Sequence, residues 1–247
     1  MENVISVDIN ADVGEGVGNE FELMPYLSSC NIACGGHAGD LESITEVVQL
    51  AKKYQVKIGA HPSFPDILNF GRQIMSLTNA DLYVSLKHQI ETLQAVLQNE
   101  CLPLNHIKPH GALYNLAAKD ENTAQVIVEV VKSFSTPIKL YAPYNSVIAK
   151  LAKQEHIEVV FEAFADRNYN EDLSLVSRRD KDAILHEKEA VLSHVLSMVN
   201  HQKVTSVRGV EVSVKASTFC VHGDTENAIE ILKFLSDNLK KNNIQIQ

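Results

Sequence analysis

The stretch that decides the fold is CNIACGGHAGDLESITEVVQLAKKYQVKIGAHP, residues 30–62. It begins with the short apolar run Cys30–Cys34 and ends with a second one, Val56–Ala60. Between them, apolar residues recur every three or four positions, which is the spacing of one helix face; they are Leu41, Ile44, Val47, Val48 and Ala51. The order strand, helix, strand is typical of a parallel βαβ unit with a right-handed crossover.

The same alternation continues along the rest of the chain. Five further apolar runs predict strands at Val4–Ile9, Asn105–Lys108, Ile138–Ala142, Glu158–Phe161 and Lys215–Cys220. The clearest helical stripe is Leu82, Leu86, Ile90, Leu93 and Leu97, with Thr78 or Asn79 as the expected N-cap. Further helices are predicted at Ala124–Val131, Ser146–Ala152, Val191–Val199 and along the stripe from Ala228 to Leu239.

Seven parallel strands form either an open doubly wound sheet or a closed barrel. The first turn after a strand reads GEGVG rather than GxGxxG, and the sequence contains no GxxxxGK[ST] motif. Because these nucleotide-binding signatures are missing, we expect an α/β fold of the barrel type, a seven-stranded parallel (β/α) barrel formed by residues 1–247 as a single domain. The least patterned segment, Asp166–Asp182, is expected to be a long loop over the site.

Composition excludes several classes of function. The 247 residues are 45% apolar, which is enough for a core without disulfides. A net charge of −9 without a basic stripe argues against a nucleic-acid partner. We find no signal-peptide pattern and no apolar run long enough to span a membrane. The four cysteines match no zinc or redox motif, so we expect a cytoplasmic protein with Cys30 and Cys34 as buried thiols.

Polar residues gather directly after the predicted strands. Four of the ten histidines lie there beside glycine or proline: His37, His61, His110 and His222. In parallel α/β folds the C-terminal ends of the strands share one face, where binding and catalytic sites are built. We therefore expect these histidines to converge on one site. Asp8, Asn10 and Asp12 alternate with apolar residues, so their side chains should point together toward the lumen or its mouth.

Several of these residues have purely structural interpretations. Asp40 and Asp224 each precede a predicted helix and could be N-caps. Arg72 could clamp a loop through an ion pair, and His106, within a strand, is expected to be a core histidine. Lys108 is different, because a buried ammonium at a strand end requires an acidic partner or a substrate charge.

A group of Asp and several His also fits a metal centre, since hydrolytic zinc sites use three such ligands and an open position. The sequence has no HExxH or HxxxH pair that would supply two ligands from one helix. Spacing alone therefore leaves both metal ligation and acid–base catalysis open, and a divalent metal is compatible with the pattern.

Six segments carry a resemblance to a known family: DINADVGEG, LMPYLSSCNIACGGHAGD, IGAHPSFPD with FGR, HIKPHGALYN, EAFADRNY and CVHGD. They follow in order from residue 6 to about 224, so they cover nearly the whole chain. On these segments the sequence resembles the LamB/YcsF family. The resemblance implies a seven-stranded barrel related to glycoside hydrolase and deacetylase barrels. Gly36 departs from the family pattern GFHAGD, which predicts a larger or looser site beside His37, and the segment NYNEDLS after Arg167 is also atypical.

The resemblance further implies the reaction of an ATP-dependent 5-oxoprolinase. In that reaction 5-oxo-L-proline, ATP and two waters give L-glutamate, ADP and phosphate, with partner subunits B and C. The catalytic residues expected from the motifs are Asp8, Asp12, His37, His61, Lys108, His110 and Glu162. The substrate-binding residues expected from them are Asn10, Glu15, Arg72, Asn115, Asp166, Arg167, His222 and Asp224. The motifs also include Asp40.

We expect phosphorylation of the amide oxygen to make the lactam carbon open to water, with Asp12, His37 or His110 as the base. Lys108 or Arg167 would stabilise charge, and Arg72 or Arg167 would bind the substrate carboxylate. Without a phosphate loop, ATP binds either at turns such as 14–18 and 35–39 or on partner subunits. The isolated chain is therefore expected to be nearly inactive, and a homo-oligomer is compatible with the sequence. The alternatives are a metal-dependent amidase or deacetylase that needs no ATP, and a non-catalytic, carboxylate-binding component of a larger assembly.

Overall fold

Seven parallel strands close into a barrel in the computed structural model, which describes residues 5–225 and 227–247. The strands along the chain are β1 Ile5–Val13, β2 Ser29–Ala33, β3 Lys57–His61, β4 His106–Ile107, β5 Lys139–Pro143, β6 Val159–Phe164, β7 Lys203–Thr205, β8 Glu211–Ser213, β9 Thr218–Cys220 and β10 Ile244–Ile246. The barrel order is β1-β2-β3-β4-β5-β6-β9, and pairing of Asp8–Asn10 with Thr218–Cys220 closes it.

All seven predicted barrel strands are therefore confirmed, although Val4, where the first was expected to begin, lies outside the described residues. Three short strands were not predicted. β7 and β8 form an antiparallel pair outside the barrel. β10 pairs in parallel with Ile5–Val7, the half of β1 that precedes its contact with β9.

Helices follow most of the strands and cover the barrel. They are α1 Glu20–Leu23, α2 Leu41–Tyr54, α3 Asn79–Asn99, α4 Gly111–Ala117, α5 Glu121–Lys132, α6 Val147–Gln154, α7 Lys188–His201 and α8 Ala228–Lys241. The predicted stripes pack inward; Leu86, Ile90 and Leu93 of α3 are fully buried, and the Thr78 side chain caps this helix. The short helices α1 and α4 were not predicted. None of the helices in the described residues has both the length and the apolar character needed to cross a membrane.

The lumen of the barrel is filled by polar side chains. Asn10 donates to Glu162 over 3.1 Å and accepts from Asn31 over 2.8 Å. His106, expected to be a core histidine, is fully buried, bonds Asn31 over 2.7 Å and stacks on Tyr141. The lumen therefore supports the site above it with hydrogen-bonded groups rather than with an apolar plug.

Gly59 of β3 makes room for the His106 ring, because a Cβ at this glycine would lie 2.1 Å from His106 Nε2. Cys30 and Cys34 are buried free thiols, as predicted, and burial raises the pKa of Cys34 to about 12. A thiol with such a pKa stays protonated near neutral pH and behaves as a small apolar side chain.

Candidate active site

A cavity of about 870 Å³ opens at the C-terminal ends of the barrel strands. Its floor is formed by residues at or just after strand ends, including Asp12, His61, Lys108, Glu162 and His222. One wall is the segment Asp166–Asp182, which the structure describes in full and which contains no helix or strand, as predicted. The volume lies in the range of small-molecule sites and exceeds what a single small ring compound fills.

The Lys108 ammonium lies in the middle of the floor and is only 2% exposed. Its Nζ atom is 2.9 Å from Asp12 Oδ1 and 2.9 Å from Glu162 Oε1, with Cys220 Sγ at 3.1 Å. Burial by itself lowers the pKa of Lys108, but the nearby Asp12, Cys220 and Glu162 outweigh it and hold the pKa well above the usual value. The acidic partner that the sequence required for Lys108 is therefore present twice.

A second group of polar side chains joins three imidazoles to one carboxylate. Glu15 Oε1 is 2.8 Å from His37 Nε2, 3.3 Å from His110 Nδ1 and 3.8 Å from His61 Nε2. The expected convergence of histidines is thus observed for three of the four. Glu15, assigned from the resemblance to substrate binding, instead makes its close contacts with this cluster.

Backbone carbonyls fix the outer nitrogens of two of these rings. His61 Nδ1 is 2.7 Å from Lys108 O, and His110 Nε2 is 3.0 Å from Phe70 O. Because a carbonyl can only accept, each of these nitrogens carries the donated proton. The inner nitrogens, His61 Nε2 and His110 Nδ1, then face one another at 2.9 Å.

The ionisation of the cluster follows from burial and from its partners. Burial lowers the pKa of His37 to about 4 against its hydrogen bond to Glu15, and burial also lowers the pKa of His110. For Asp12, the charges of His61 and Lys108 outweigh burial and hold the pKa well below its usual range. For Glu15, hydrogen bonds from His110 and His37 likewise outweigh burial and lower the pKa. The site therefore combines two carboxylates, one ammonium and a neutral His37.

The fourth strand-end histidine is held by a buried carboxylate. Asp166 Oδ1 lies 2.9 Å from His222 Nδ1, and Asp166 Oδ2 accepts from the His222 backbone N–H and from the Thr225 hydroxyl. The His222 ring also stacks on Phe164. This fixes Nδ1 toward the aspartate and leaves Nε2 as the second functional atom of a residue that lines the cavity.

Guanidinium groups lie at the rim of the cavity. Arg72 and Arg178 both donate to Asp224 Oδ2, over 3.0 and 3.1 Å, so Arg72 makes the predicted loop-clamping ion pair. Asp224 is not an N-cap, because Asn227 occupies that position of α8. Arg167 lines the cavity but uses its Nε and Nη2 atoms on the carbonyls of Ala183 and Val176.

Some predicted residues lie apart from the cluster. Asp8 lies at the opposite end of the lumen, bonded to Ser29 and Thr218, roughly 13 Å along the strand from Asp12. Asn10 lies beneath the floor and supports Glu162, whereas Asn115 lines the outer cavity. Asp40 is the exposed N-cap of α2 and forms a capping box with Ser43, so the structural interpretation of Asp40 is the right one.

The expectation of a larger site at Gly36 is wrong. A Cβ at Gly36 would lie 2.3 Å from Gln89 Oε1 and 2.4 Å from Ser63 Oγ, so the space beside this glycine is already filled. Gln89 enters from α3 and bonds both the N–H and the carbonyl of Ser63, each over 2.9 Å. The glutamine therefore occupies the place where the family pattern has a larger residue at position 36.

The sequence motifs contained one further cavity residue that was passed over. Tyr114, within HIKPHGALYN, is buried, lines the cavity, and has a hydroxyl without a hydrogen-bond partner among the described residues. The same is true of Glu162 Oε2. A prediction of α4 would have shown that Tyr114, rather than Asn115 alone, faces inward.

Comparisons with known proteins agree with this architecture. The LamB/YcsF family description matches residues 7–247. Proteins named as the A-type component of 5-oxoprolinase are 41% identical in Haemophilus influenzae, covering 97% of this chain and 98% of the relative, and 40% identical in Staphylococcus aureus, covering 98% of each. A crystal structure of a lactam utilization protein from Thermus thermophilus superimposes with a TM-score of 0.92 at 38% identity, covering 98% of this chain and 99% of that one. A chitinase from Pseudoalteromonas aurantia, with a TM-score of 0.53 at 10% identity, shares the fold alone.

Proposed function

Because this chain belongs to the LamB/YcsF family, we propose that it is the lactam-opening component of an ATP-dependent 5-oxoprolinase. Its substrate is 5-oxo-L-proline, its product is L-glutamate, and ATP is cleaved to ADP and phosphate by the assembled enzyme with subunits B and C. Support comes from the name of relatives at 40–41% identity over nearly the whole chain and from the lactam utilization protein that shares the fold closely.

The observation that carries the proposal is the buried Lys108, bonded to Asp12 and Glu162 on the floor of the cavity. Opening a lactam builds negative charge on the carbonyl oxygen or on a group attached to it. A pre-positioned ammonium in a site with little water stabilises that charge more strongly than water does. The two carboxylates keep Lys108 charged and fix its position.

Groups without partners on the cavity wall match the polar atoms of 5-oxoproline. Glu162 Oε2 is an acceptor for the lactam N–H, and the Tyr114 hydroxyl is a donor for a substrate oxygen. The substrate carboxylate would bind the guanidiniums of Arg72 or Arg167, of which Arg72 is the more exposed. This arrangement would hold the ring with its amide carbon above Lys108.

Two waters and one phosphoryl group account for the chemistry. The lactam oxygen attacks the γ-phosphorus of ATP and ADP leaves, which gives an imidate-like carbon. The first water adds to that carbon, and the C–N bond then breaks as the nitrogen takes a proton, leaving an acyl phosphate. The second water releases phosphate and completes the new carboxylate of glutamate.

The residues that face the cavity suggest how these protons move. Asp12 and His110 line it and are candidates to take the proton of the attacking water, whereas His37 lies behind Glu15 and is not among the lining residues. His222 is oriented by Asp166 and lies on the same wall, so it is suited to give a proton to the leaving nitrogen.

ATP is proposed to bind on the partner subunits. The turn 35–39 leads into α2, but the Asp40 carboxylate already occupies the N-terminus of that helix. A phosphate there would meet a carboxylate instead of free N–H groups. The turn 14–18 leads into a helix of only four residues. Neither glycine-rich turn resembles a phosphate-binding site, which supports a division of labour between subunits.

The test is release of phosphate and glutamate from 5-oxoproline and ATP, first by this chain alone and then with subunits B and C. We expect turnover only in the complete mixture, and loss of at least ~100-fold in kcat when this chain carries His110→Ala. His88→Ala, on the exposed face of α3, is the matched control and should leave kcat unchanged. ATP-dependent turnover by the chain alone would contradict the division of labour. Normal turnover with His110→Ala, even with weaker binding, would indicate that this chain has a non-catalytic role.

The second candidate function is a metal-dependent amidase that works without ATP. The observation that favours it is the cluster Glu15, His37, His61 and His110, whose ligand atoms all lie within 4.8 Å of one another. ATP-independent release of an amine or of acetate from an amide substrate, with a stoichiometric divalent ion, would decide for this alternative.

A further inference from the structure

The facing nitrogens of His61 and His110 are not explained by the amide chemistry proposed above. Each ring donates its outer N–H to a backbone carbonyl, so the inner nitrogens, 2.9 Å apart, both present lone pairs. Two acceptors at this distance repel unless a proton or a cation lies between them. Glu15 Oε1 faces the same point and adds negative charge.

The three donor atoms have the spacing of metal ligands. His61 Nε2 and His110 Nδ1 are 2.9 Å apart, and Glu15 Oε1 lies 3.3 Å from the second and 3.8 Å from the first. Atoms bonded to a tetrahedral Zn²⁺ at about 2.0–2.2 Å lie roughly 3.3–3.6 Å from each other. The triangle formed by the three atoms thus needs shifts of only a few tenths of an ångström to hold such an ion.

We propose that Glu15, His61 and His110 bind one divalent transition-metal ion at the floor of the cavity. All three residues line the cavity, so the fourth position of the ion would face it and remain open to water or to a substrate oxygen. Asp12 Oδ2, 3.3 Å from His61 Nε2, lies beside this site. Two imidazoles and one carboxylate suit Zn²⁺ and its neighbours rather than Mg²⁺.

His37 is a positioning residue for this site and not a ligand. Its ring stacks parallel to that of His110, with centroids 3.6 Å apart, so an ion in the plane of the His110 ring lies outside the plane of His37. His37 Nε2 instead holds Glu15 Oε1 over 2.8 Å. Outer contacts of this kind, together with the carbonyls on His61 and His110, orient metal ligands and commonly change affinity about 10–100-fold.

The test is titration of the metal-free, purified full chain with Co²⁺, followed by visible absorption, which reports a four-coordinate site without any assay of activity. We expect one Co²⁺ per chain, displaced by Zn²⁺ but not by Mg²⁺. His61→Gln and His110→Ala should each weaken binding at least ~100-fold, since each removes a ligand. His37→Ala should weaken it about 10–100-fold, with partial rescue by His37→Gln, whose amide can still donate to Glu15. The matched control His88→Ala should bind like the unsubstituted chain.

The wild-type titration decides the matter even where a variant fails to fold, which circular dichroism will show. Failure of the unsubstituted chain to bind one equivalent of Co²⁺ or Zn²⁺ would overturn the proposal and leave a shared proton between the two rings. Binding that survives in folded His61→Gln and His110→Ala would overturn it as well. The site goes beyond the proposed function, because metal content is measured separately from glutamate release, so either proposal can fail while the other stands.

Discussion

At the scale of single residues, Lys108 has the most demanding environment in the molecule. Its ammonium is almost completely buried, and three hydrogen-bonding groups of different strands surround it. Each partner comes from a different part of the chain, so the position of Lys108 reports correct closure of the barrel as well as the state of the site. A charge in such a place is strongly stabilising only as long as its partners remain.

Replacing Lys108 by methionine should therefore reduce both stability and activity. Lys108→Met leaves Asp12 and Glu162 buried and unpaired, and we expect about 3–5 kcal/mol lower free energy of unfolding in urea, with turnover of the complete enzyme lost. The control is Lys139→Met, which removes an exposed ion pair with Glu158 and should leave both quantities unchanged within error. Retained turnover in Lys108→Met would show that the ammonium is not part of the chemistry.

At the scale of elements, strand ends provide the chemistry and helix starts provide stability. Asp40 illustrates the difference, because it follows β2 closely enough to belong to a site motif but begins α2. Its carboxylate accepts from Ser43 N over 2.8 Å, and Ser43 Oγ accepts from the Asp40 N–H over 2.9 Å. The pKa of Asp40 is lowered by these hydrogen bonds to Ser43, as expected for a cap that works as a carboxylate.

Asp40→Ala should lower the melting temperature by about 2–4 °C, because the first turn of α2 loses its cap. Asp40→Asn should restore most of that loss, since asparagine caps helices about as well as aspartate. Both variants should keep the turnover of the complete enzyme. A loss of turnover in Asp40→Asn with an unchanged melting temperature would return Asp40 to the catalytic set. Differential scanning calorimetry and the glutamate assay provide the two readouts.

At the scale of the whole molecule, histidines packed away from water make the fold sensitive to acid. His194 of α7 packs against the loop that forms the cavity wall and stacks on Tyr169. Burial lowers its pKa to about 4, although backbone groups of Arg167 and Phe164 and the charge of Asp166 favour protonation. Between pH 6.5 and 4 the unfolded chain therefore binds a proton at His194 that the folded chain does not.

The free energy of unfolding should consequently fall as the pH drops below about 6.5, with His194 contributing up to about 3 kcal/mol by about pH 4. His194→Phe keeps the aromatic contact and removes the proton uptake, so its stability should depend less on pH in this window. The measurement is urea unfolding at about pH 7 and about pH 5 for both proteins. Equal slopes against pH in the two proteins would mean that His194 is not the source. His186→Phe, exposed just before α7, is the control.

Local patterns in the sequence were sufficient for the framework. The seven barrel strands, the six longer helices, the Thr78 cap and the long loop 166–182 were predicted because alternation, helical spacing and turn residues are short-range signals. Parallel strands in turn place their C-terminal ends on one face, so the residues after them could be assigned to one site. Short elements such as β10 and α4 escaped because their periodicity is too short to read and their stability comes from contacts distant in sequence.

The amino-acid sequence by itself determined the barrel, its family and most of the residues around the mouth. Only the tertiary structure decided which of those residues touch: it places Glu15 among the imidazoles, gives Lys108 two carboxylates and leaves Asp8 at the other end of the lumen. It also shows that Gln89 fills the space beside Gly36. The physical reason is that periodicity fixes the direction in which a side chain points, whereas distances between side chains depend on the register and closure of strands far apart in the chain.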